Sequence, residues 1–205
     1  MRDRDGLLNL AMANFGAKPL QSFDEESPGG RAARLVYGSI VDTCLGFYPW
    51  SFSRRTVALD QIDETPINGW SSVFLLPAGA LSLPHSVLRD PRRPDEPLKE
   101  WTVEDGRLFA NDVPLWAVCS FRSDPESWSP VFFTAVSYAL SAALAVPISG
   151  NASGVVETMR GLAFGSPSEN MRGGFMGQAI MADARNQPSR TLSLGASPLI
   201  SARVR

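Results

Sequence analysis

The sequence predicts an α+β fold: a helical bundle from N- and C-terminal helices, a small antiparallel β-unit inserted between them, and an extended C-terminal arm. Three observations predict it. Apolar residues at helical spacing, bounded by capping residues, occupy both ends of the chain. The middle carries short alternating runs broken by Gly, Pro and Asp-Gly. After Gln187 neither period persists. The expected division is 1–50 with 128–187 for the bundle, 51–127 for the β-unit and 188–205 for the arm.

The first helix is expected over 4–15. Asp3 or Asp5 can cap it, Leu7, Leu8, Ala11, Met12 and Phe15 share a face, and Gly16 stops it. Asp24-Glu25-Glu26-Ser27-Pro28 starts the second. The acids meet the positive end of the helix dipole, Ser27 offers a capping hydroxyl, and Pro28 suits the first turn. Its stripe is Ala33, Val36/Tyr37, Ile40, Cys44 and Phe47, and Pro49 stops it. Four to six short strands come next, from runs at 54–62, 69–76, 81–88, 100–103, 107–111 and 115–121. Asp105-Gly106 is a tight hairpin turn. Pro130 opens a helix over 131–146 that is apolar almost all round, as a central buried helix is, and Pro147 ends it. Another starts at Asn151 or Ser153, with Val155, Met159 and Leu162 on one face. Gly165-Ser166-Pro167-Ser168-Glu169 interrupts it, Ser166 and Glu169 offering a capping box. The last helix carries Met171, Phe175, Ala179 and Ala182. Gly173-Gly174 weakens it by about 1–2 kcal/mol relative to Ala-Ala.

Composition narrows the function classes. At 205 residues, 44% hydrophobic and 20% charged, the chain suits one compact unit and is not disordered throughout. Cys44, His85 and Cys119 are its only Cys and His residues, too few for a structural zinc site. The two cysteines are expected as buried free thiols. A net charge of −2 argues against a protein whose main task is gripping nucleic-acid backbone. No long apolar run succeeds the N-terminal charges, and 131–146 falls short of the ~20 residues that span a bilayer. A cytoplasmic origin is therefore expected. Only Lys18 and Lys99 are lysines among 19 basic residues. From Gly150 onward six arginines face three acids, net +3, which leaves 13 basic and 18 acidic residues, net −5, before it. In a head-to-tail ring, one subunit's basic end could meet the next one's acidic face. A solvated basic tail reads equally well.

No catalytic constellation emerges. A Ser/His or Cys/His hydrolase must use His85, which lies in Leu83-Pro84-His85-Ser86 without a Gly-rich nucleophile turn. Phosphate-binding glycine motifs are absent. Asp24-Glu25-Glu26 reads as dipole complement, and Asp60, Asp63 and Glu64 as a solvated loop. The tryptophans at 50, 70, 101, 116 and 128 could stack bases or sugars, but core closure at element junctions is their commoner role. No catalytic residue, metal ligand or cofactor site is assigned.

The order of motifs carries further information. A Leu-rich helix leads to Phe15-Gly16-Ala17-Lys18-Pro19-Leu20-Gln21-Ser22-Phe23. A second leads to Pro49-Trp50-Ser51-Phe52-Ser53-Arg54-Arg55 and Leu59. Pro66-x-x-Gly69-Trp70 and Leu76-Pro77 come after it, then Trp128-Ser129-Pro130-x-Phe132 before Ala139-Leu140-Ser141-Ala142-Ala143-Leu144-Ala145. This succession, over roughly residues 6–185, resembles the tail tubular protein A family of short-tailed phages, the head-to-tail adaptors. The chain departs from the family at Ala78-Gly79, where an acid is usual two residues after Leu-Pro. It departs again at Phe121, where a tyrosine is usual, and in the broken final helix.

The resemblance implies a non-enzymatic virion protein of the tail or neck, made in the host cytoplasm. It implies a homo-oligomeric ring, typically a dodecamer, between the portal protein and the tail nozzle protein. Genomic DNA would pass through the ring without sequence-specific binding, with no membrane and no cofactor involved. A near-neutral chain suits a conduit, because a strongly basic wall would hold DNA. The arm is expected to dock on the portal or a neighbouring subunit through Arg190, Leu192, Leu194, Leu199, Ile200, Arg203 and Arg205. Trp50, Phe52, Trp70, Trp128 and Phe132 are expected to hold the bundle against the β-unit. Two other readings stay open: a head-completion connector of another tailed-phage class, and an enzyme of α+β fold.

Overall fold

The structure is a computed structural model that describes residues 2–150, 153–170 and 172–186. It is an α+β fold of five α-helices and two small antiparallel sheets among those residues. The arm 188–205 and Asn151 lie outside them.

Helix α1 spans Arg4–Asn14 and buries Leu7, Leu8, Ala11 and Met12. Asp3 is its cap, the carboxylate accepting from the Gly6 N–H at 2.7 Å. Helix α2 spans Pro28–Gly46, capped by Ser27 Oγ on the Gly30 N–H at 3.0 Å. Ala33 and Cys44 are buried as the stripe predicts. Val41 and Leu45 occupy the centre of the contact, and Val36, Tyr37, Ile40 and Phe47 are half-buried flanks.

The β-unit departs from the sequence expectation. It has seven described strands: β1 Arg54–Ala58, β2 Asp60–Ile62, β3 Ser72–Leu75, β4 Ser86–Leu88, β5 Thr102–Glu104, β6 Arg107–Ala110 and β7 Trp116–Ser120. They form two sheets, ordered β1-β7-β4 and β2-β3-β6-β5. The expected strand over 54–62 is two strands, one in each sheet. Leu59 turns the corner between them, its N–H donating to Leu115 O at 2.9 Å while its side chain enters the core. Both sheets share that core: Val87, Ala117 and Cys119 from one, Phe74, Leu108 and Ala110 from the other. The Asp105-Gly106 hairpin is as expected, with φ of 49° and 70° joining β5 to β6.

Helix α3 spans Pro130–Ser149, so Pro147 lies inside it. A proline in the last turn forfeits one hydrogen bond, here to Ala143 O, and the turn still closes through Gly150 N–H to Val146 O at 2.9 Å. At 20 residues α3 is long enough to cross a bilayer, so the length argument fails. What marks α3 as a core helix is its packing, since all four other helices lie against it. Helix α4 spans Ser153–Phe164. It buries Ala163, not Leu162, which is exposed. The small Ala163 lets α4 lie close to its neighbours, where a leucine would hold it off.

Pro167–Glu169 is a 3-10 turn rather than the start of the last helix, and Ser166 Oγ lies 2.7 Å from Ser168 Oγ. Helix α5 spans Gly174–Arg185, burying Met176, Gly177, Ala179 and Asp183, with Phe175 and Ala182 half-buried. Met171 lies outside the described residues. The expected weakening by Gly173-Gly174 does not apply. Gly173 is the N-cap residue and Gly174 the first helical one, with φ of 55°. There a Cβ would collide with Leu162 O, so glycine is what lets α5 begin against the end of α4.

Candidate functional site

The seven arm residues singled out for partner binding, Arg190, Leu192, Leu194, Leu199, Ile200, Arg203 and Arg205, all lie outside the described residues. The root of the arm is described, and it is anchored. Asp183, 4% exposed on α5, accepts from Ser51 Oγ at 2.5 Å and from the Ser51 N–H at 3.2–3.3 Å. The chain therefore leaves α5 beside the entrance to the β-unit. Sequence reasoning missed Asp183. Its signal was an acid at the seventh position after Met176 and the fourth after Ala179, continuing a buried stripe that only a paired carboxylate can occupy.

The entrance and exit of the β-unit meet in one aromatic cluster. Trp50 stacks on Phe52 at 5.7 Å between centroids and tilts against Phe132 at 4.5 Å. Trp128 meets Phe132 edge-on at 5.0 Å. Both indoles are buried and both N–H groups are used. Trp50 Nε1 donates to Cys44 O at 2.9 Å, covering one of the carbonyls that the end of α2 leaves free. Trp128 Nε1 donates to Ser123, to its carbonyl and its hydroxyl at 3.1 Å each, and Arg2 Nη1 donates to Trp128 O at 2.8 Å. Four of the five aromatic residues expected at this junction are there. Trp70 is not: it is half-buried in a separate depression of about 400 Å³ with Asn68, Lys99, Trp101 and Asn111.

His85, the one histidine of the sequence, is engaged in structural bonds. His85 Nε2 lies 2.9 Å from Ser120 Oγ and 3.2 Å from Ser82 Oγ, and no carboxylate bonds this ring among the described residues. It thus lacks the third member of a triad. Burial, then the Arg54 charge, lowers the His85 pKa. The folded protein therefore prefers the neutral ring, so it binds fewer protons than the unfolded chain below the usual histidine value of about 6.5. Stability should fall as the pH drops through that value. Thermal melts at pH 7.5 and 5.5 should differ less for His85→Asn than for the parent.

Each acidic cluster has members bonded within the fold. Glu25 accepts from the Gln21 N–H at 2.7 Å, which with Ser27 holds its carboxyl below the usual range. Glu26 pairs with Arg34 at 3.2 Å and Glu64 with Arg107 at 2.6 Å. No grouping of three or more metal-binding side chains occurs among the described residues. Cys44 and Cys119 are buried free thiols in different cores, and burial pushes them up to about 12 and about 11.

Two further open clefts lie among the described residues. One, of about 520 Å³, lies between the start of α1, α2 and the segment before α3, with Asp3, Arg4, Arg122 and Glu126 giving it mixed charge. The other, of about 950 Å³, lies at the end of α4 against Phe164 and Pro167. Neither a protein-family model nor a curated protein matches the chain.

Proposed function

We propose that this chain is a head-to-tail adaptor of a short-tailed phage, a structural protein that forms a ring between portal and tail nozzle and lines the path of the exiting DNA. The observation that carries the reading is the aromatic junction. The two motifs most particular to the resemblance, Pro49-Trp50-Ser51-Phe52 and Trp128-Ser129-Pro130-x-Phe132, are far apart in sequence and close on one another in space. They join a helical bundle to an inserted β-unit, the architecture that the resemblance implies. Such a junction suits a ring component, because it fixes the angle at which each subunit presents its β-unit to the next. The predominance of arginine also suits polar subunit interfaces, since its planar fork bonds bidentately.

The test is assembly. Mixed with its cognate portal ring and imaged by negative-stain electron microscopy, the protein should add a collar, and the truncated chain 1–187 should not. A portal that stays bare beside full-length monomers counts against the adaptor reading. Full collar formation by the truncated chain removes the arm from the portal contact.

A further inference from the structure

We propose that the depression between Trp70 and Trp101, at one end of the larger sheet, is a binding site for a neutral saccharide. The strand order builds it. β3 and β5 flank β6 and both run antiparallel to it, Ser72 pairing with Ala110 and Thr102 with Phe109. The starts of β3 and β5 therefore meet the end of β6. Trp70 stands two residues before β3, Trp101 one before β5 and Asn111 one after β6. With Asn68, Lys99 and Glu100 they line a depression of about 400 Å³. That volume lies within the range of small-molecule sites, about 300–1,000 Å³.

Core packing does not account for Trp70. Trp50 and Trp128 are fully buried and spend their indole N–H groups on Cys44 and Ser123. Trp101 is half-buried on the core of the β-unit. Trp70 packs against neither core. Neither Trp70 nor Trp101 donates its N–H to another side chain or carbonyl among the described residues. An indole placed so at a surface offers an apolar face and an unused donor on its edge.

The walls are fixed by the fold. The Ser71 N–H donates to Asn111 Oδ1 at 3.0 Å, which ties the Trp70 segment to the end of β6. Asn68 Nδ2 donates to Glu104 Oε2 at 3.1 Å. Each amide spends one end inside the fold and keeps the other, a donor on Asn111 and an acceptor on Asn68.

This lining selects the ligand class. A pyranose has a face of C–H bonds that lies flat on an indole, and a rim of hydroxyls that both donate and accept. Lys99 and Glu100 add one charge of each sign, so the depression carries no net charge. A nucleic-acid strand also stacks on indoles, but its phosphates want a basic track that Lys99 beside Glu100 does not supply. The inference does not depend on the adaptor reading.

Proton–nitrogen NMR of the indole groups in the full chain tests it. The probes are maltotriose, cellotriose and tri-N-acetylchitotriose, with a deoxythymidine hexamer as contrast. The Trp70 and Trp101 signals should shift saturably with at least one sugar, with a Kd on the order of 1 mM for so open a site. The Trp50 and Trp128 signals should stay in place and report an intact fold. Trp70→Ala should weaken the Trp101 response about tenfold or more, and Trp70→Tyr, which keeps an aromatic face, about threefold or less. No saturable shift with any of these sugars up to about 50 mM, or a Trp101 shift indifferent to Trp70→Ala, would overturn the proposal. A shift with the hexamer and none with the sugars would also overturn it and assign the depression to single-stranded nucleic acid.

Discussion

Replacing Trp50 with alanine should lower the unfolding free energy by about 3–5 kcal/mol, read as a shift of the urea midpoint at unchanged slope. The side chain is fully buried and touches Tyr48, Phe52 and Phe132 by ring contact. Truncation opens a cavity in the bundle core at the entrance to the β-unit. It also orphans Cys44 O at the end of α2. Trp50→Phe keeps most of the ring contact and loses the donor, so it should cost less. Trp70→Ala, at a half-buried position outside the cluster, should cost under about 1 kcal/mol. Equal losses at positions 50 and 70 would contradict the separation of Trp70 from the aromatic junction.

Gly174→Ala should cost about 3 kcal/mol, again measured by chemical denaturation. Two effects add. The backbone has φ of 55°, a region that costs L-residues of order 1–3 kcal/mol. The new methyl would also press on backbone, on Leu162 O and on Gly165 N at 2.8 Å, and backbone cannot swing aside as a flexible side chain can. Gly173→Ala, one residue earlier at φ of −91°, should be far milder. A neutral Gly174→Ala would mean that α4 and α5 separate without penalty.

What was legible in the sequence is what is decided locally. Asp3 and Ser27 announce helix starts because a capping side chain bonds a backbone N–H three residues on. Asp105-Gly106 announces its turn because both residues tolerate positive φ. The rest depends on partners that the local pattern does not contain. The partly alternating run 54–62 reads as one strand, and only the pairing of its halves with β7 and β3 breaks it at Leu59. On α4 the expected face runs through Leu162, and the packing against its neighbours buries Ala163 instead. Pro147 is tolerated because it falls in a last turn whose end a local pattern does not fix. At the candidate site, the convergence of Trp50, Phe52, Trp128 and Phe132 was legible, because aromatic residues at element junctions seek one another. Asp183 was not, since its partner Ser51 gives no sign of itself from the other end of the chain.

The pairing of β1 with β7 has a consequence for how the chain reaches its fold. The bundle is built from two halves separated by the whole β-unit, and bringing α2 to α3 through a slack insertion means closing a long loop. The Phe121 N–H to Ser53 O bond at 2.9 Å lies at the mouth of that insertion. Once the sheet has formed, the slack between Trp50 and Trp128 is about eightfold shorter, some three doublings, which lowers the entropy of closure by roughly 2 kcal/mol. The β-unit therefore works as a buckle: fastened first, it delivers the two ends of the bundle to each other, and a chain with the buckle loosened should assemble its helices more slowly even where their own packing is untouched.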